Sequence, residues 1–292
     1  MSYSAFLEET PLIPGMMRLL DHAELCKPAR LAAWIQKRLD EGLNTFDHAD
    51  IYGDGECERI FGETLMASPE LRQKVQVISK AGIVPAHRDP SLWTTKHYRA
   101  EADYFSGAID KSLSRLRVEQ IHTFLIHRPD PLLDAESLAT ALERAVTAGK
   151  IRHIGVSNFL PEQWRWFQQN TRLPLVCNQS QLSLSHSAAL LDGTYEAHLN
   201  DGLRWLAWSP LAGGTLTRCV PEGLLQAAKE ETSLDETGLA IAWLRQIPGT
   251  PIPVVGSMRE RRIQEALKGA RTTLPRSLWF ALLEAVRQTE VP

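Results

Sequence analysis

The sequence predicts an α/β fold, a (β/α)8 TIM barrel forming a single domain over 1–292. Three observations predict it. Short β-branched apolar runs alternate with amphipathic helical stretches about eight times, which implies parallel strands joined by helical crossovers. No composition break or linker interrupts the alternation, and barrels of this length are routinely one domain. Unusual polar residues recur at the ends of successive runs, where active sites of this fold sit. A doubly wound sheet is the structural rival. Against it, no GxGxxG follows the first strand, and Gly213-Gly214 comes too late and in the wrong frame.

Taken in order, the first stretch supports only a short strand around Gly15. Pro28 opens a helix whose apolar residues keep helical spacing until Gly42, a C-cap. Asn44 to Asp47 reads as a strand, and a helix follows from about Glu56 to Met66. KVQVISK (74–80) is rich in β-branched residues and reads as a strand. A polar loop containing Pro85, Pro90 and Trp93 fills 81–99. A helix at 101–117, a strand at 121–127 and a helix at 134–150 come next. Strands at 151–158 and 174–179 flank a helix beginning at Pro161. A helix near 188–201 leads into the strand GLRWLAWSP and the loop SPLAGG. A helix at 235–247, the strand PIPVVGS, the helix ERRIQEALKG and a further helix at 275–289 complete the chain.

Composition excludes several classes of function. The apolar share of 43% and charged share of 23% are ordinary for a globular protein able to bury a large core. A formal charge of -3 gives no general attraction to nucleic acid or anionic membrane. Cys26, Cys57, Cys177 and Cys219 are far apart and lack metal-like spacing, so reduced thiols are expected. No apolar run is long enough to cross a bilayer, and the first residues lack the pattern of a signal peptide. The expected location is the cytoplasm.

The polar residues at run ends are Asp47, Lys80, His127, Ser157-Asn158, Gln179, Trp208-Ser209 and Gly256-Ser257. With the segments FDHADIYG (46–53), VISKAG (77–82), FLIHRPDP (124–131), GKIRHIGVSNF (149–159), WSPLAGG (208–214) and PVVGSMRERRIQEAL (253–267), the chain resembles the aldo-keto reductases. The likeness is colinear over about residues 15 to 270 and is closest to bacterial members with short C-termini. It implies an NADPH-dependent reductase of aldehydes and ketones on a (β/α)8 barrel. The family's catalytic tetrad maps onto Asp47, Tyr52, Lys80 and His127.

The chemistry needs these residue types. Hydride reaching a carbonyl carbon leaves charge on oxygen, so a proton donor must stand against that oxygen; Tyr52 is the candidate. Lys80 would lower the phenol's pKa, Asp47 would hold Lys80 charged, and His127 would orient the carbonyl. The resemblance further implies that Ser157, Asn158 and Gln179 bind the nicotinamide carboxamide and that Trp208 stacks on its ring. Ser209, Pro210 and Leu211 would follow the pyrophosphate. Ser257, Arg262 and Glu265 match the adenosine-phosphate site, which implies NADP rather than NAD. Two positions depart from the family pattern: Gly256 stands for the usual lysine and Ala266 for the usual asparagine. Arg259 could replace the missing charge.

Met17, His48 and Trp93 are expected at the pocket mouth, with His48 either recognising an acidic substrate or filling space. An open site with broad tolerance for small-molecule carbonyls follows from the short C-terminus. No nucleic-acid or membrane partner is expected, nor a metal, and the chain is expected to be a monomer or a weak homo-oligomer. Two other functions are compatible with the sequence. One is a catalytically idle nucleotide-binding regulatory subunit. The other is a metal-dependent barrel hydrolase with His48, Asp50 and His127 as ligands, although no HxH or HExxH appears.

Overall fold

A computed structural model describes residues 10–89, 91–214 and 216–290. In chain order, β1 is Ile13–Pro14, followed by a 3-10 helix at Met16–Asp21 and α1 at Pro28–Asp40. Next come β2 (Thr45–Asp47), a 3-10 turn at Tyr52–Gly55, α2 (Glu56–Ala67), α3 (Pro69–Lys74) and β3 (Gln76–Ala81). A short antiparallel ribbon, β4 (Ile83–Val84) with β5 (His97–Tyr98), precedes α4 (Ala102–Leu116). The chain continues through β6 (Ile121–Ile126), α5 (Ala135–Thr147), β7 (Ile151–Ser157), α6 (Pro161–Gln169) and β8 (Leu175–Gln181). It ends with α7 (Thr194–Asn200), β9 (Arg204–Trp208), α8 (Leu216–Cys219), α9 (Glu222–Thr232), α10 (Glu236–Arg245), β10 (Ile252–Val255), α11 (Glu260–Ala270) and α12 (Arg276–Arg287).

The contacts divide the chain into two compact units, Gly15–Asn178 and Met1–Pro14 with Gln179–Pro292. In the first, β2, β3, β6 and β7 lie side by side and parallel, with Asp47 opposite Ile78, Lys80 opposite Leu125 and Leu125 opposite Gly155. These strands are buried almost throughout, as expected of parallel strands covered by helices. Phe46, on the helix-facing side of β2, packs on Phe61 of α2 at 5.4 Å between ring centroids. In the second unit, β1 pairs with β10 and β10 with β9, again parallel. Its core centres on α10, whose Trp243 stacks on Trp279 of α12 at 4.9 Å. The two indoles exchange hydrogen bonds with each other's carbonyls, at 3.2 and 2.8 Å, so burying them leaves neither N–H unsatisfied.

Helix ends follow the local chemistry. The Asp134 carboxylate caps α5 by accepting the Ser137 N–H at 3.1 Å, and Asp235 caps α10 through Thr237 and Gly238. Four segments depart from expectation. The loop expected over 81–99 contains the β4–β5 ribbon. The single helix expected near 188–201 is a 3-10 turn at Ala188–Leu190 and a separate α7, divided where Asp192 accepts the Thr194 N–H across a left-handed Gly193. Helices α3, α8 and α9 lie in stretches to which the sequence reading assigned no element.

Candidate active site

Four residues of the first unit form the chemically distinctive group. Asp47 ends β2 and Lys80 stands near the end of β3 on the neighbouring strand. Both are buried, Asp47 to 2% exposure and Lys80 to 1%. The Lys80 ammonium donates to Asp47 Oδ1 at 2.7 Å and Oδ2 at 2.8 Å, and to the His48 carbonyl at 2.6 Å. It also lies 5.1 Å from the centre of the Tyr52 ring, whose hydroxyl favours the charged ammonium. The ammonium's three donors are thus taken up by a carboxylate and a carbonyl, with the phenol beside them. Sequence reasoning missed the His48 carbonyl, since no side-chain identity reports the direction of a main-chain oxygen.

Tyr52 reaches Lys80 from a turn of unusual shape. Gly53, Asp54 and Gly55 all have positive φ, at 54°, 57° and 92°. A Cβ at Gly53 would meet Leu20 Cδ1 at 2.3 Å, and one at Gly55 would meet the Arg115 guanidinium carbon at 2.4 Å. The left-handed conformation therefore favours glycine at both positions, and a Cβ would in addition force the ends of the Leu20 and Arg115 side chains to shift. The turn is pinned further by Asp54, which accepts from His87 and Arg88 at 2.8 and 2.7 Å.

His127 follows β6 directly, and its N–H bonds the Ala81 carbonyl at 2.9 Å. Its ring is buried, and Nδ1 has no hydrogen-bond partner among the described residues. Burial first, then the charges of Lys80, Arg128 and Lys96, hold its pKa well below the ordinary imidazole value, so it stands as neutral imidazole. For Lys80, burial opposes the charge, but Asp47 and Tyr52 outweigh it and the pKa is raised. For Tyr52, burial raises the pKa, and Lys80 opposes without reversing it. The expected lowering of the phenol is therefore not seen. The physical reason is burial, which disfavours the phenolate more than Lys80 favours it, and the Asp47 carboxylate adds to the rise.

The residues expected at the pocket mouth fall in different places. His48 does not line it. The side chains of β2 alternate, so His48 points with Phe46 toward α2, where its ring sits edge-on to Phe61 at 4.7 Å, fully buried. Burial and then Lys80 push its pKa down to about 3, and neither ring nitrogen has a partner among the described residues. It serves Lys80 through its carbonyl, not its imidazole. Met17, on the 3-10 helix after β1, is 54% exposed, and Trp93, between β4 and β5, is 83% exposed.

The expected cofactor residues are distributed between the two units. In the first, Ser157 ends β7 and is buried; Asn158, at φ 63°, donates to Ser157 Oγ at 2.9 Å and to the His127 carbonyl at 3.2 Å. Asn178 is also buried there, donating to the Phe159 carbonyl while its Oδ1 has no partner among the described residues. The sequence reading had passed over Asn178 in favour of its neighbour. In the second unit, Gln179 lies inside β8 rather than at its end, and Trp208 closes β9, half-buried. Ser209, Pro210 and Leu211 open a turn in which Ser209, Ala212, Gly213 and Gly214 all take positive φ. Such left-handed stretches bring successive main-chain N–H groups to one side, a shape suited to anions.

Gly256 and Ser257 follow β10, and Arg259 is the N-cap of the 11-residue α11 without a side-chain cap hydrogen bond. Arg259 and Arg262 are exposed and make no ion pair among the described residues, whereas Arg261 lies 3.9 Å from Asp235. Glu265 accepts the Asp235 N–H at 3.3 Å. A Cβ at Gly256 would meet nothing within 4 Å, so the backbone leaves room for a longer side chain at that position.

Among the described residues, no group of three or more His, Cys, Asp or Glu side chains could hold a metal ion, so His48, Asp50 and His127 do not gather as a ligand set. No described helix is long and apolar enough to cross a membrane.

Comparison with known proteins agrees with the geometry. The sequence model of the Aldo/keto reductase family matches residues 11–285. Oxidoreductase YdhF of Escherichia coli (strain K12) is 34% identical over 290 residues, covering 98% of this chain and 96% of the relative. The 6-dehydroglucose reductase of Agrobacterium fabrum is 37% identical over 280 residues, 94% of each protein. A solved thermostable aldo-keto reductase, Tm1743, determined with the inhibitor epalrestat, superposes with a TM-score of 0.78 over 94% of each chain at 22% identity. That likeness bears on the fold alone, which is the expected (β/α)8 barrel.

Proposed function

The chain belongs to the aldo/keto reductase family of oxidoreductases, and we propose that it reduces aldehydes and ketones with NADPH, Tyr52 supplying the proton. The observation that carries this reading is the Lys80 ammonium, held by the Asp47 carboxylate and the His48 carbonyl 5.1 Å from the centre of the Tyr52 ring. Near it is the buried, neutral imidazole of His127. A buried polar atom without a partner costs free energy unless a ligand satisfies it. The His127 Nδ1 atom is enclosed in this way and has no partner among the described residues, so Nε2 is the ring nitrogen left to meet a substrate carbonyl oxygen.

The residues present also fit a nicotinamide dinucleotide. Ser157, Asn158 and Gln179 offer donors and acceptors for a carboxamide, and Trp208 offers a ring face. Ser209, Pro210 and Leu211 fit beside a pyrophosphate. Gly256, Ser257, Arg259, Arg262 and Glu265 suit an adenosine ribose. The exposed guanidiniums of Arg259 and Arg262 at the start of α11, unpaired among the described residues, fit a 2′-phosphate and favour NADPH over NADH. The bound dinucleotide supplies the hydride.

What this chain contributes is placement and a proton. His127 donates to the carbonyl oxygen and turns its carbon toward the hydride donor. Tyr52 gives its phenolic proton as charge gathers on that oxygen. Lys80, positively charged throughout the neutral range, stabilises the phenolate left behind, and Asp47 fixes the ammonium. Because the phenol's pKa lies above its ordinary value, Tyr52 holds its proton until the oxygen becomes basic.

The test is a panel of aldehydes and ketones, 6-dehydroglucose among them, offered with NADPH and with NADH. The reading predicts NADPH oxidation with at least one reactive aldehyde and weaker use of NADH. Tight NADPH binding without turnover on any carbonyl would favour an idle nucleotide-binding subunit instead.

A further inference from the structure

Behind the Lys80–Tyr52 pair lies a second group of charged side chains that the reaction as proposed does not use. Asp50 is 6% exposed and Glu58 is fully buried. Glu58 accepts from Ser79 Oγ at 2.7 Å and from Arg115 Nη1 at 3.4 Å. Asp50, by contrast, leaves Oδ1 without a partner among the described residues. Its main chain is fully engaged: the N–H donates to the Lys80 carbonyl at 3.0 Å, and the carbonyl accepts from Arg88 Nη2 at 3.3 Å. Arg88 also donates from Nε to Asp54 at 2.7 Å.

Charged and titratable groups from three neighbouring segments act on Asp50. They are Glu58 from α2, Arg88 from the 3-10 turn after β4, and Arg115 and Tyr104 from α4. Ser79, which holds Glu58, is the residue before Lys80 on β3. The cluster therefore grips β3 beside Lys80, the Lys80 main chain, and the turn that carries Tyr52 two residues after Asp50.

A second buried carboxylate is costly beside the first. Burial and then Glu58 push the Asp50 carboxyl up to about 7, against the opposing effects of Arg88, Arg115 and the Ile51 N–H. The neighbours with resolved shifts titrate elsewhere: Tyr52 above its ordinary value, His127 well below its own, and His48 at about 3.

We propose that Asp50 is a positioning residue whose proton keeps the Tyr52 turn seated on β3. As the neutral acid it sits beside Glu58 without repulsion, and Arg88 stays on Asp54 and on the Asp50 carbonyl. Once ionised it repels Glu58 and draws Arg88 and Arg115 away from the bonds that fix the turn. Tyr52 then loses its register with Lys80, and turnover falls. This inference rests on the reductase reading above.

The experiment measures kcat for a reactive aldehyde at saturating NADPH from pH 6 to pH 8, in the wild type, Asp50→Asn, Glu58→Gln and Tyr52→Phe. For a single group near 7, the neutral fraction drops from about nine-tenths to about one-tenth over this range, so wild-type kcat falls about tenfold. Asp50→Asn should vary less than about twofold, with the KM for NADPH unchanged in both. Glu58→Gln removes the like charge and should move the fall to lower pH, which a purely structural role would not do. Wild type and Asp50→Asn falling in parallel would overturn the proposal.

Melting temperature gives a second readout, independent of turnover. A carboxyl whose folded pKa is raised contributes stability below its unfolded value, and this is lost as pH rises through about 7. Wild type should therefore lose melting temperature relative to Asp50→Asn between pH 6 and 8; a constant difference would overturn the proposal. If the wild type reduces no carbonyl, or Tyr52→Phe turns over normally, the reductase reading fails. The melting comparison still decides whether Asp50 titrates in the turn.

Discussion

Removing Lys80 while keeping Asp47 tests the centre of the site most severely. In Lys80→Met the stem keeps its bulk, but Asp47, 2% exposed, loses the ammonium bonded to both of its oxygens at 2.7 and 2.8 Å. The His48 carbonyl loses its 2.6 Å donor as well. Breaking one side of a buried ion pair costs about 3–5 kcal/mol, because the partner stays buried and uncompensated. At roughly 2–4 °C per kcal/mol for chains near this size, the melting temperature should fall on the order of 10 °C. Asp47→Asn should cost a similar amount by stranding the ammonium. The double variant Asp47→Asn/Lys80→Met has no charge to strand, so its loss should be smaller than the sum of the singles by about 3 kcal/mol or more. Denaturant and thermal unfolding of the four proteins measure this directly. Additive losses, or a Lys80→Met protein as stable as the wild type, would refute the coupled buried pair. Turnover should fall by about 10² or more in all three variants, whatever their stability.

Two further outcomes are expected. His48→Phe replaces a fully buried ring whose nitrogens have no partner among the described residues, so it should keep activity and gain about 1–2 kcal/mol at pH 7. A histidine held at about 3 against 6.5 lends stability above pH 6.5 that is lost as pH falls, so the variant's advantage in melting temperature should widen between pH 7 and 4.5; a narrowing gap would contradict the burial argument. Arg259→Ala/Arg262→Ala should weaken NADPH binding about 10- to 100-fold by fluorescence titration, with little change for NADH; equal loss of both would remove these arginines from 2′-phosphate recognition.

How much of this was legible in the sequence depends on the range of the interaction involved. Periodicity is local, so the strands that lead to Asp47, Lys80, His127 and Ser157 were readable. The β4–β5 ribbon was not, because two residues per strand give no alternation to detect. The division of the helix near 188–201 had a visible signal in Asp192-Gly193, a common turn pair. The placement of His48 was also available in principle: consecutive residues of a strand face opposite sides, so the neighbour of an inward Asp47 must point toward the helices. Proximity in sequence to a reactive residue was misleading where the side-chain period is two. The gathering of Asp47, Tyr52 and a main-chain carbonyl around Lys80 was not legible, and neither was the rise in the Tyr52 pKa. Both depend on burial and on atoms brought together from distant segments.

The most direct measurement compares wild type with Tyr52→Phe, following NADPH oxidation by a reactive aldehyde and NADPH binding by fluorescence in the same preparations. The account predicts that turnover disappears into background while the dissociation constant for NADPH changes by less than about twofold, since the loss of one hydroxyl leaves the cofactor residues in place. Turnover at the wild-type rate would contradict it and move the proton donor elsewhere.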